Sequence, residues 1–189
     1  MSRVLILFSS VDGQTRRIAE RMAQVLRTGH EVTLRSADAP EAPADLGSHD
    51  AVVVGAAIRY GHHAPAIRRL VRAHRPDLEA RPGAFFSVCL SAGGPGAKPE
   101  TARAYLEAFL AETGWRPALT TSFAGALLYT RYNPIIRFLM RMIVGFAGGD
   151  TDMSKDYEYT DWAMVERFAR AFSERISDAP GRDAAQQPG

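Results

Sequence analysis

Apolar and polar positions alternate along this chain in two rhythms. Residues 3–8, "RVLILF", form an unbroken apolar run cut off by a polar turn, the pattern of a strand buried on both faces. From residue 15 to 28, Ile18, Met22, Val25 and Leu26 recur at helical spacing with arginines between them, and Gly29 closes the helix. Residues 30–35 alternate and predict a second strand; 38–50, "DAPEAPADLGSHD", read as a loop; 51–58, "AVVVGAAI", form another buried strand. Pro65 opens a helix to about residue 74, 84–90 are a strand, and "SAGGPGAKP" is a glycine-rich loop. Pro99 opens a helix to about 113, and 118–128 are the last long strand. Thr160 is the expected cap of a final helix to about 177, with Trp162, Val165, Phe168, Ala169 and Phe172 on one face.

Strands alternating with helices imply a parallel sheet covered on both faces. The fold class expected is therefore α/β, a flavodoxin-like doubly wound five-stranded sheet of order 2-1-3-4-5. Ligands of such sheets bind beyond the carboxyl ends of the strands, so the loops after strands one, three and four are those to inspect. Residues 1–177 read as one domain carrying an insertion at about 129–150, and 178–189 as a disordered polar tail.

Composition narrows the function classes. A net charge of +2 is too small for a globally nucleic-acid-like surface. A single cysteine, Cys89, excludes an intramolecular disulfide and a multi-cysteine metal cluster, and inside "FFSVCL" it reads as a small core residue. Residues 1–10 lack a cleavable leader pattern and no window reaches the ~18 apolar residues of a membrane span, so a cytoplasmic protein is expected.

The first loop, "SSVDGQT", leads from Ser9 to Thr15 straight into a helix. Hydroxyls and backbone N–H groups at a helix start form an anion site, and Gly13 allows a tight turn against a phosphate. The Gly-Lys-Ser/Thr ending of a triphosphate loop is missing, and so is the G-x-G-x-x-G fingerprint. An uncharged hydroxyl pocket suits one terminal phosphate, as in FMN; an ordinary helix cap is the competing reading. The loop "GAAIRYGHH" could lay a backbone and the Tyr60 ring against a flat ligand, with Arg59 pairing an anion. Tyr60 merely covering the strand end is the alternative. His62 and His63 read as solvated residues before a helix, since no other metal ligands are spaced with them, and no metal is expected. "SAGGPGAKPE" offers backbone donors and space, or else is a flexible loop without a ligand.

The stretches "LILFSSVDGQTRRIA", "VVVGAAIRYGHH", "AGALLYTRY", "GGDTD" and "YTDW" together resemble the flavodoxin-type, quinone-dependent protoporphyrinogen IX dehydrogenases of bacterial haem synthesis. The resemblance runs from about residue 3 to 172. It implies bound FMN, oxidation of protoporphyrinogen IX to protoporphyrin IX, and electrons passed to a membrane quinone, menaquinone or ubiquinone. It also implies that Ser9, Ser10, Asp12, Gly13, Gln14 and Thr15 hold the FMN phosphate. Ala57, Ile58, Arg59, Tyr60 and Gly61 would flank the ring from one side, and Ser87, Val88, Cys89, Leu90 and Ser91 from another. The phosphate loop departs from the common Thr-x-Thr-Gly-Asn-Thr, having Asp12 and Gln14 at the third and fifth positions, and a carboxylate beside a phosphate is electrostatically unexpected. The resemblance identifies no catalytic acid or base.

One segment stands outside this layout. In "NPIIRFLMRMIVGF", nine of the twelve residues from Ile135 to Phe146 are large and apolar. Asn133 and Pro134 can start a helix there and Gly148-Gly149 can end it, giving ~21 Å, too short to cross a bilayer. Arg131, Arg137 and Arg141 bring positive charge with no acid between residues 129 and 149. Either the segment is a core helix with its arginines reaching outward, or it is a surface for an anionic inner-membrane face, a lipid-soluble quinone or the propionates of a porphyrinogen. The second reading makes Tyr129, Arg131, Tyr132, Arg137 and Arg141 substrate or membrane contacts and the protein peripherally membrane-associated. Competing functions are an NAD(P)H:quinone oxidoreductase, an electron-transfer flavodoxin and a non-enzymatic membrane-bound module. The oligomeric state stays open.

Overall fold

The computed structural model describes residues 1–39, 46–146 and 148–179. Five parallel strands, β1 (Arg3–Ser9), β2 (Glu31–Ser36), β3 (Ala51–Arg59), β5 (Gly83–Cys89) and β6 (Leu119–Ala124), lie in the order β2-β1-β3-β5-β6. This is the expected doubly wound order. Strands β1, β3 and β5 sit in the middle, which is why their sequences are almost wholly apolar. Edge strand β2 is only half-buried and alternates instead.

Helices cover both faces. Helices α1 (Gln14–Leu26) and α6 (Trp162–Asp178) pack with Val4, Ile6, Val53 and Phe86 on one side. On the other, α2 (Pro65–Ala73), α3 (Arg75–Glu79) and α4 (Pro99–Thr113) pack with Leu5, Leu7, Val54, Phe85 and Trp115. The Phe86 ring of β5 lies over its register partner Gly55 on β3, where a Cβ would lie 2.0 Å from the ring. A side chain at residue 55 would therefore displace the buried Phe86 ring from its place in the core.

Three features differ from the sequence reading. The last strand does not run to residue 128. It leaves the sheet at Gly125, and β7 (Ala126–Leu127) pairs antiparallel with β8 (Tyr157–Glu158). Backbone bonds fix this exit: the Gly125 N–H donates to Cys89 O (3.2 Å), and the Tyr159 N–H donates to Gly125 O (3.1 Å). Next, β4 (His62–His63) pairs antiparallel with β3 at Ile58 and Arg59, so His63 is buried rather than solvated; His62 is exposed. The cap of α6 is Asp161, whose Oδ1 accepts from the Met164 N–H (3.0 Å), because the Thr160 hydroxyl is committed to Ala124 O (2.8 Å). The end of α6 at Asp178 agrees with the expected one; the tail expected to be disordered lies, from residue 180 on, outside the described residues, as do residues 40–45 of the loop read at 38–50.

The insertion forms α5 (Pro134–Phe146) over a small core of its own, made by Leu127, Tyr129 and Val144. Asn133 caps it, accepting from the Ile136 N–H (2.9 Å). It ends where Gly148 turns into the left-handed region (φ 76°) and the Gly149 N–H donates to Val144 O (2.9 Å). Among the described residues no helix is long and apolar enough to cross a membrane.

Candidate functional site

A cleft of about 250 Å³ opens beyond the carboxyl ends of β1, β3 and β5, where such sheets bind ligands. Asp12, Gln14 and Thr15 line it from the first loop, Ala57, Ile58, Arg59, Tyr60 and Gly61 from the second, and Val88, Cys89, Leu90 and Ser91 from the third. Ser9, Ser10, Gly13 and Ser87 do not line it. Ser9 Oγ donates to Asp38 Oδ1 (2.8 Å) and the Ser10 N–H to Asp38 Oδ2 (3.2 Å), so Asp38 braces the start of the loop. Ser10 Oγ accepts from the Arg16 N–H (3.4 Å). Gly13 acts through its backbone: at φ 91° it begins α1 with no cap from its own side chain, and of the first-turn N–H groups Ser10 Oγ takes that of Arg16. That leaves first-turn N–H groups available to an anion, and α1 has no acidic residue in its first turn to compete.

The buried Gln14 side chain ties this loop to the far end of the chain. Its Nε2 donates to Thr160 Oγ1 (2.8 Å) and Glu158 Oε1 (3.2 Å), while its Oε1 accepts from Arg17 (2.9 Å). Arg17 also pairs Glu158 at 2.8 Å and lies over the Trp162 ring. Burial pushes the Glu158 carboxyl up, but the bonds from Arg17 and Gln14 outweigh it and leave it below its ordinary value. Asp12 is exposed and lines the cleft together with Tyr132 of the insertion. Tyr132 has its phenol pKa raised first by burial and then by the Asp12 charge, so Asp12 belongs to the rim that meets the insertion.

The second loop is a strained hairpin. Tyr60 adopts φ 51° and Gly61 φ 83°, Tyr60 is 64% exposed, and the Arg59 guanidinium lies 5.3 Å from its ring centre. From below, His63 Nε2 and Ser87 Oγ bond at 2.9 Å while Phe109 and Phe85 meet the imidazole edge-on. Burial, followed by the Arg68 charge, lowers the His63 pKa to about 4. A neutral imidazole thus pins the hairpin to β5, which is why Ser87 points away from the cleft. Burial also raises the Cys89 thiol pKa, as fits a core residue rather than a reactive one.

The remaining lining residues escaped the sequence reading: Tyr105 from α4, Gly125 and Ala126, and Ile136, Met140 and Ile143 from α5. Their spacing, i, i+4 and i+7, was the available signal for a second apolar stripe on α5. The opposite stripe, Ile135, Phe138, Leu139, Met142 and Phe146, is exposed, at 43–87%. So α5 roofs the cleft with one face and shows solvent the other.

The insertion's proposed contact residues divide. Tyr132 lines the cleft, and Arg131 and Arg141 are exposed. Tyr129 is a correction: it is fully buried, donating to Asp150 O (2.9 Å), because β7 turns it beneath α5. Arg137 is a second: it folds back to donate to Tyr132 O (3.4 Å) and Thr130 O (3.5 Å) instead of reaching outward. The local basic excess is also smaller in space than in sequence. Asp156, which accepts from the Thr130 N–H and hydroxyl, lies close enough to Arg131 and Arg137 for their charges to lower its pKa, after the Thr130 backbone bond.

Among the described residues, no group of three potential ligands could hold a metal. A flavodoxin-domain family model matches residues 5–154. Protoporphyrinogen IX dehydrogenase [quinone] of Escherichia coli K12 is 39% identical over 94% of this chain and 98% of its own. The protein of that name from Leishmania major is 38% identical over 97% of this chain and 80% of its own. The chain belongs to the protoporphyrinogen IX dehydrogenase (quinone) family of flavodoxin-domain proteins. Solved flavodoxins agree on the fold. Oxidised flavodoxin 1 of Bacillus cereus matches with a TM-score of 0.53 at 19% identity, covering 92% of this chain and 98% of its own. The Streptococcus pneumoniae flavodoxin matches at 0.54 and 13%, covering 93% and 98%. As a flavodoxin-like oxidoreductase, a member of this dehydrogenase family implies FMN as cofactor.

Proposed function

We propose that this chain oxidises protoporphyrinogen IX to protoporphyrin IX with FMN in the cleft and a membrane quinone, menaquinone or ubiquinone, as acceptor. The start of α1, where the N-cap Gly13 brings no side chain of its own, suits the FMN phosphate, and a Cβ built on Gly13 would meet nothing within 4 Å, so there is room above the loop. Asp12, at the rim, is the one carboxylate among the described lining residues. Ser10, Gly13, Gln14 and Thr15 would set the loop, Ala57–Gly61 in the hairpin and Val88–Ser91 in the third loop would clamp the ring. When bound, FMN would supply two-electron chemistry, so the six-electron, six-proton oxidation would take three rounds and reduce three quinones, and no side-chain acid or base is required.

The observation that carries the substrate assignment, beside the named relatives, is the α5 roof. Ile136 and Met140 partly shield the cleft mouth and, with the half-exposed Ile143, offer apolar contact to a macrocycle, while Tyr132 and Arg59 provide polar contacts at its rim. The outer stripe, with Arg141 beside it, fits a helix lying in the headgroup boundary at the cytoplasmic face of the inner membrane. An absorbance spectrum of purified protein tests the cofactor, and anaerobic mixing tests the substrate. Protoporphyrinogen should bleach the flavin and NADPH should not. Bleaching by NADPH alone would make the protein an NAD(P)H:quinone oxidoreductase.

A further inference from the structure

Beside the cleft lies a second cavity of about 280 Å³, between the glycine-rich loop, the start of α4 and α5. Its walls are preformed. A Cβ at Gly93 would lie 2.7 Å from Ala124 Cβ, and one at Gly94 2.8 Å from the Tyr159 ring, so the loop sits directly on its neighbours. The Lys98 N–H closes the loop onto Ser91 O (2.9 Å). Beneath, the Tyr159 hydroxyl is held by Asp150. Leu127, Val144 and Pro95 make an apolar floor and side. Lys98 and Thr101, together with Ser91 and Tyr105 on the shared wall, bring donors, and no carboxylate lines the cavity among the described residues. Lys98 makes no ion pair among the described residues.

This cavity and the cleft share Leu90, Ser91, Tyr105 and Ile143 as a common wall. We infer that the second cavity is the docking site for the quinone ring of the acceptor, separate from the place where the tetrapyrrole meets the cofactor. The inference rests on the function proposed above. A one- or two-ring quinone is flat, apolar across its faces and carries two opposed carbonyl acceptors, which matches an apolar slot with hydroxyl and ammonium donors and no competing anion. The volume is at the low end for ligand pockets. Ile143 lies at the cavity's edge and is 47% exposed, beside Met142 and Phe146 of the outer stripe. An isoprenoid tail can therefore leave over α5 into lipid without crossing polar surface.

The test is binding of menadione, a tail-free naphthoquinone, to the FMN-loaded protein by calorimetry, with protoporphyrin IX as competitor. Thr101→Phe, which fills the cavity, should weaken menadione at least tenfold, and Lys98→Met should weaken it several-fold, with FMN content unchanged. Menadione should still bind when protoporphyrin IX is saturating. Unchanged menadione affinity in both variants, or its displacement by protoporphyrin IX, overturns the separate site. Anaerobic flavin bleaching by protoporphyrinogen, scored on the same samples, reports on the parent reading. Lost bleaching with intact, Thr101-sensitive menadione binding would remove the substrate and keep the quinone site.

Discussion

Replacing His63 with glutamine should remove an acid sensitivity built into the hairpin proposed to clamp the flavin. In the fold His63 is 4% exposed with its pKa lowered to about 4, while in the unfolded chain it titrates near 6.5. A depressed histidine binds fewer protons folded than unfolded. Its contribution is fully present above pH 6.5 and is lost as pH falls toward 4. At ~1.4 kcal/mol per unit, the full loss is on the order of 3 kcal/mol, and about 2 kcal/mol of it falls between pH 7 and 5. The protonated ring would keep a donor for Ser87 Oγ but carry an unpaired charge beside Arg68, whose positive charge opposes it, with only the exposed Glu112 helping. Strand β4 would release first, and with it the Arg59–Gly61 clamp. Urea unfolding at pH 7 and pH 5 measures this for wild type and His63→Gln, since carboxylates contribute equally to both. The wild type should lose about 2 kcal/mol more than the variant, and FMN fluorescence should appear in wild type at the higher pH. Equal pH slopes in the two proteins would refute the coupling.

Thr15→Ala should weaken FMN by roughly 1–2 kcal/mol by stripping one polar group from the wall of the anion site, and Gly13→Val should weaken it further because φ 91° strains any β-branched residue; flavin titration reads both. The two arginines of α5 should separate. Arg137→Ala should lower thermal stability by about 1 kcal/mol through the released Thr130 and Tyr132 carbonyls, with little change in vesicle binding. Arg141→Glu should instead weaken sedimentation with anionic vesicles by at least ~1 kcal/mol, less so at high salt; vesicle binding that follows Arg137 rather than Arg141 would reverse the assignment. Gln14→Leu should destabilise the protein by about 1–3 kcal/mol by leaving Thr160 and Glu158 without their shared donor, seen in urea unfolding.

The run of apolar residues in β1, β3 and β5, the proline starts of α2 and α4, and the glycine and hydroxyl loop before α1 were enough to determine the sheet order and the mouth of the cleft. Local pattern determines these because a strand covered on both faces has no polar positions, and a parallel sheet has few ways to connect. What the tertiary structure alone decided concerns side chains whose partners lie far along the chain. Ser87 and His63 are 24 residues apart and Gln14 and Thr160 are 146 apart, so nothing near either residue signals that it faces inward to a partner instead of outward to a ligand. Tyr129 and Arg137 read as surface residues because an insertion's own small core cannot be seen until β7 and β8 close it. Helix α5 illustrates the division best. Its sequence determined a helix too short to span a bilayer and too apolar for ordinary surface, and only its place over the cleft assigned one stripe to the site and the other to the outside, because a helix apolar on every side but that of Arg137 and Arg141 does not itself say which apolar stripe faces inward.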